Sequence, residues 1–135
     1  MSATQIAYDP PSWFQTKVIN RLATRFGGQP TLEVVGRRSG QPHRTPINVL
    51  EVEGRRYLVS IMGEAEWVRN LRAAGTATLR EGDTATQITA VEVPVAERQP
   101  LIDAYLRAWP RKAVRACFER LPDPADHPIF RLIAV

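Results

Sequence analysis

The chain has 135 residues, 44% of them hydrophobic and 24% charged, a composition that suits one ordinary folded domain and excludes a disordered or low-complexity chain. Its single cysteine, Cys117, excludes an internal disulfide, and no apolar run reaches the roughly 18 to 20 residues of a membrane span. The net charge of +4, with a pI near 9.8, favours acidic partners: phosphates, polyanionic cofactors, nucleic acid or an anionic lipid surface.

The first residues, MSATQIAYDPPSWF, lack both the charged start and the apolar centre of a signal peptide, so a cytoplasmic chain is expected. Residues 13–26 space Phe14, Val18, Leu22 and Phe26 four apart, with Lys17, Arg21 and Arg25 on the adjoining stripe. This predicts an amphipathic helix closed by Gly27 and Gly28. It lies over the domain with its cations in water, or it makes a peripheral membrane contact.

From Thr31 the pattern alternates. TLEVVGRR, HRTPINVLEV and RRYLVSIM predict three strands joined by the turns Ser39-Gly40-Gln41-Pro42 and Glu53-Gly54. Short turns make them antiparallel neighbours, and apolar residues on both faces of the second and third call for cover on both sides, as a curled sheet or barrel provides. Residues 64–74 predict a helix with acids in its first turn and Gly75 at its end; its Trp67, Asn70, Leu71 and Ala74 share one face. TATLR and TATQITAVEV continue the core strands to residue 93. A helical pair follows over 96–121, broken at Pro110, and IFRLIAV at 129–135 predicts the last strand. The expected fold is α+β: one domain over 1–135 with about six mainly antiparallel strands, an N-terminal helix, a crossover helix and a C-terminal helical pair.

The chemistry-bearing residues are few. His43, His127 and Cys117 do not make up a zinc site, and Cys117 shares the apolar side of its helix with Val114, Phe118 and Leu121, which predicts a buried structural thiol. Any chemistry is therefore expected from a cofactor. Residues 36–46, GRRSGQPHRTP, combine small residues that let backbone N–H groups approach a ligand with the guanidinium forks of Arg37, Arg38 and Arg44. The segment reads as an anion clamp or as a solvated hairpin tip. Asn70, among apolar neighbours on its helix, needs hydrogen-bond partners, either backbone carbonyls or a ligand entering between helix and strands. Arginines spread over several elements argue against nucleic acid.

The order and spacing of Gly36-Arg37-Arg38-Ser39-Gly40-Gln41-Pro42, Arg44-Thr45-Pro46-Ile47, the segment from Ser60 to Gly63, and Trp67-Val68-Arg69-Asn70-Leu71 resemble the deazaflavin (coenzyme F420)-dependent nitroreductase family. The resemblance implies a split β-barrel that binds F420 and transfers hydride from the reduced coenzyme to a small apolar or quinone-like acceptor. It places the coenzyme's phosphate and glutamate tail at Arg37, Arg38, Ser39 and Gly40. The ring would then lie along Arg44, Thr45, Pro46, Ile47 and Asn48 and along Val59, Ser60, Ile61 and Met62, with Trp67 and Asn70 closing the site and His43, Gly63, Val68 and Arg69 as further implied coenzyme contacts. Asn48, Trp109 and Phe118 are the implied acceptor contacts, with no catalytic side chain and no metal. Two departures are visible: Met62 stands where a lysine often meets the phosphate, and the helical pair carries a single tyrosine, Tyr105. Alternatives are an FMN oxidoreductase of the same fold and a non-catalytic coenzyme or fatty-acid binder, as monomer or homodimer.

Overall fold

The computed structural model describes residues 29–135; the helix expected over 13–26, and any membrane contact through it, lie outside the described residues. Seven strands form one sheet: β1 (Thr31–Val35), β2 (Pro42–Pro46), β3 (Leu50–Val52), β4 (Arg55–Val59), β5 (Thr76–Glu81), β6 (Thr84–Glu92) and β7 (Ile129–Ala134). Their spatial order is β2-β1-β5-β6-β7-β4-β3, with every pair antiparallel. Helix α1 (Glu66–Ala74) crosses from β4 to β5, and α2 (Gln99–Ala108) and α3 (Lys112–Arg120) form the pair before β7. Among the described residues no helix is long and apolar enough to cross a membrane.

The expected second strand is two strands. β2 ends at Pro46 and β3 begins at Leu50, and the two lie at opposite edges of the sheet. Proline has no N–H for a ladder, and Ile47 and Val49 both turn into the interior, so HRTPINVLEV bends across a corner instead of running straight. Four residue steps reach at most about 14 Å, so the two edges must approach each other and the sheet must curl into a barrel. The Arg56–Glu81 ion pair joins β4 to β5, three places apart in the sheet, and this too requires curling.

Alternation then fills two cores. Leu32, Val34, Leu58, Ala77, Leu79, Ile88, Phe130 and Leu132 point into the barrel and are sealed by Val68 and Leu71 of α1. Tyr57, Val59 and Ile129 point outward from β4 and β7 and are covered by Leu101, Ile102 and Tyr105 of α2 and Phe118 of α3. Helix α1 stops as expected, with Gly75 in the left-handed region (φ 76°) and its N–H donating to Leu71 O. Its buried side differs from the expected face: Val68 is inside, whereas Ala74 is exposed. The first turn of the helical pair is a separate 3-10 turn, Val95–Glu97, because Pro100 stands in the first turn of α2.

Candidate functional site

The loop from β1 to β2 is built by glycines and one serine. Gly36 N–H donates to Gln41 O (2.8 Å), Gly40 N–H to Gly36 O (3.0 Å), and Gln41 N–H to Ser39 Oγ (3.1 Å). Gly40 has φ 72°, a conformation that costs an L side chain strain. A Cβ on Gly36 would stand 2.5 Å from His43 Nε2 and 2.8 Å from Ser39 Oγ, so this glycine is what lets His43 fold back over the loop.

Helix α1 holds the loop from the other side. Asn70 is 4% exposed, and its Oδ1 accepts from Arg37 N–H (3.1 Å) and from Arg37 Nη1 (2.8 Å). The hairpin itself is thus the partner of this buried amide's oxygen, where backbone carbonyls or a ligand were expected for the side chain. The same Nη1 donates to Glu66 Oε1 at 3.0 Å, one helical turn before Asn70. Of the three loop arginines Arg37 is the oriented one, with a side chain 19% exposed; Arg38 is exposed, and Arg44 donates to Glu33 across the strand pair (2.9 Å). Glu33 also accepts from Arg80 (2.9 Å), and the two guanidiniums, Arg80 first, hold its carboxyl below the usual range.

Between loop and helix lies an open pocket of about 320 Å³ lined by Gly36, Arg37, Arg38, Ser39, His43, Arg44, Thr45, Glu66, Trp67 and Asn70. Eight of the expected site residues therefore meet there. Gly40 sits at the loop tip. The remaining ones are elsewhere: Pro46 is exposed at the strand end, Ile47 and Val68 are in the barrel core, and Arg69 is exposed on α1. Val59 lies in the outer core, and Ser60 is buried with its hydroxyl on Gly63 O. Ile61 packs against the outer core, while Met62 is 65% exposed with its sulfur 3.9 Å from Cys117 Sγ, and that thiol, expected to be buried, is only half-buried. Asn48 donates to Tyr105 Oη (3.0 Å), and Tyr105 packs on Trp109 and Phe118 at 4.7 and 6.3 Å between ring centres. The three implied acceptor contacts thus share one cluster through Tyr105, which the sequence reading left out. Glu66 was also missed as a pocket residue; its i, i+4 relation to Asn70 was the available signal.

His127, fully buried, places Nδ1 2.9 Å from Ser60 O and Nε2 2.6 Å from Leu121 O, tying the end of β4 to the end of α3. Arg98, 5% exposed, donates to Val93 O (2.9 Å), Pro124 O (3.2 Å) and Glu92 (3.2 Å), fixing the helical pair to the sheet. These two polar groups are structural ties outside the pocket.

Comparison with known proteins places this geometry. Solved structures of similar fold include an F420-H2 dependent reductase, FDR-A (TM-score 0.56, 24% identity, covering 76% of this chain and 91% of that one). A domain-swapped dimer matches with TM-score 0.56 and 21% identity, over 88% of this chain and 94% of the other. A candidate 5-nitroimidazole antibiotic resistance protein from Bacteroides thetaiotaomicron matches with TM-score 0.60 and 11% identity, over 87% and 79%. No curated protein matches the chain. The split-barrel fold is common to these neighbours, and the F420H(2)-dependent quinone reductase family matches residues 11–120. The chain belongs to that family and is an oxidoreductase that depends on coenzyme F420.

Proposed function

We propose that this reductase passes hydride to a small apolar or quinone-like acceptor while the hairpin pocket grips the coenzyme's phosphate and glutamate tail. The observation that carries the reading is the pocket's orientation of Arg37, held by Asn70 through both its backbone N–H and its guanidinium. A guanidinium fixed before the ligand arrives loses little entropy on binding an anion. Arg38 and Arg44 add positive potential at the rim, and Ser39 and Thr45 add hydroxyls. About 320 Å³ suits a phosphate and the start of a tail better than an entire deazaflavin, so the ring is read as lying beyond it, along residues 44–48. When bound, the reduced deazaflavin supplies a hydride from its ring. A quinone that takes up that hydride and one solvent proton becomes a hydroquinone. The protein's part is to orient and to exclude water, and the aromatic cluster of Tyr105, Trp109 and Phe118 beside Asn48 offers an apolar wall for a flat acceptor.

The test is a titration of one purified sample with F420 and with FMN, followed by turnover of reduced F420 against a quinone. Tight F420 binding, weaker FMN binding and quinone-dependent oxidation of the coenzyme are expected. FMN binding tighter than F420 would overturn the tail assignment, and coenzyme binding without turnover on any quinone would overturn the acceptor.

A further inference from the structure

One cation of the hairpin pocket is already occupied by the protein itself. Arg37 Nη1 serves two acceptors, Asn70 Oδ1 at 2.8 Å and Glu66 Oε1 at 3.0 Å. The two are unlike. Asn70 is buried and takes two hydrogen bonds from Arg37, so Arg37 keeps its orientation without Glu66. Glu66 is 76% exposed, on a flexible side chain whose carboxylate forms part of the pocket wall. The Arg37 hydrogen bond holds that carboxyl below the usual range, so it is an anion at neutral pH. An incoming phosphate or carboxylate would therefore meet both a charge of its own sign and a donor already in use.

We propose that Glu66 is a displaceable internal anion: it sits on Arg37, must swing out when an anionic ligand binds that guanidinium, and so holds the pocket's affinity for anions below what Arg37 alone would give. This rests on the reading that the hairpin pocket receives the coenzyme's anionic tail. An exposed carboxylate–guanidinium pair in water is only weakly held, so a phosphate or carboxylate ligand displaces it with a several-fold loss of affinity. Glu33 is a useful contrast. It binds Arg44 and Arg80 together, is mostly covered, and does not line the pocket, so its single charge offsets only part of theirs and leaves the rim positive.

Full-length wild type, Glu66→Gln and Arg37→Ala are titrated with F420 and with FMN, and the thermal midpoint of each free protein is recorded. Glu66→Gln keeps the shape and removes the charge. It should bind F420 and FMN each several-fold more tightly, with little change in thermal midpoint. If Glu66→Gln binds F420 equally or more weakly while Arg37→Ala loses affinity, Glu66 is a bystander or an orienting residue and the proposal fails, but the pocket assignment stands. If Arg37→Ala leaves F420 affinity unchanged, the pocket assignment fails and the proposal with it.

Discussion

Arg37 and Asn70, 33 residues apart in sequence, meet so that one amide oxygen accepts both the backbone N–H and the guanidinium of the arginine. This pair of hydrogen bonds to a single buried acceptor ties the β1–β2 loop to α1. Asn70→Leu should leave Arg37 N–H without that acceptor and cost about 1–3 kcal/mol in denaturant unfolding, with coenzyme affinity falling as the loop loosens. Asn70→Asp keeps an acceptor at the same place while adding a negative charge. It should therefore retain more of the stability than Asn70→Leu and still lose coenzyme affinity, a split that separates support of the loop from contact with the ligand.

The arginines of the loop should not be equivalent. Removing an oriented, charge-assisted hydrogen bond costs about 1.5–3 kcal/mol, so Arg37→Ala is expected to weaken F420 binding roughly ten- to hundredfold. Arg38, exposed and in no ion pair among the described residues, is expected to act by potential alone. Arg38→Ala should have a smaller effect that shrinks with added salt, which titrations at two ionic strengths would show.

Glycine is required at two loop positions for different reasons. Gly36→Ala would push a methyl into His43 and Ser39 side chains. These can move, so the fold should survive at a cost of about 1–3 kcal/mol while the pocket wall shifts and coenzyme affinity drops. Gly40→Ala meets nothing within 4 Å but keeps a positive φ of 72°. Its cost should be about 1–2 kcal/mol of stability, with a smaller effect on binding. Thermal melts beside coenzyme titrations distinguish them.

Acid should weaken the tie between helices and sheet. Arg72 hydrogen-bonds Glu92 (2.9 Å) and Glu64 (2.9 Å), and Glu92 also accepts from Arg98. Arg72 holds both carboxyls below their ordinary range. A carboxyl lowered in the folded state adds stability above its unfolded pKa, about 4.3, and loses it as pH falls through the folded value. Arg72→Gln should therefore flatten the decline of unfolding free energy on the acid side of pH 5. Arg98→Met should be far more costly at every pH, by about 3–5 kcal/mol, because it strips buried carbonyls and Glu92 of their donor.

Alkali should act through Tyr105. Burial raises its phenol above the usual value, so the unfolded chain ionises first and stability is lost as pH rises beyond about 10. Tyr105→Phe should remove that share of the alkaline loss. At neutral pH it should cost about 1 kcal/mol, since Asn48 Nδ2 loses its acceptor. Unfolding followed from pH 7 to 11 checks both.

Much of this molecule was legible in its residues. Alternation in Thr31–Val35 marks a strand with one face in the barrel, the apolar end of Arg55–Val59 marks one that faces both cores, and the left-handed Gly75 closes α1 where the pattern stops. The run 36–46 announced a basic loop of small residues, and its spacing to Trp67 and Asn70 pointed to the family that matches residues 11–120. Such signals are local: they report what backbone a short stretch prefers and which side of it is apolar. HRTPINVLEV satisfies a strand pattern throughout, yet its halves belong to opposite sheet edges, because the corner at Ile47–Val49 is stabilised by burial in a core that only the closed barrel provides. The choice of Arg37 as partner of Asn70, and the arrival of Glu66 on the same guanidinium, likewise depend on how the loop and α1 settle on one barrel rim. Residue types and periodicity determined that this chain is a basic, strand-rich domain with a loop of small residues and arginines at 36–46. Long-range packing decided which of its charges are free to meet a ligand, since a guanidinium's availability depends on neighbours that sequence distance does not reveal.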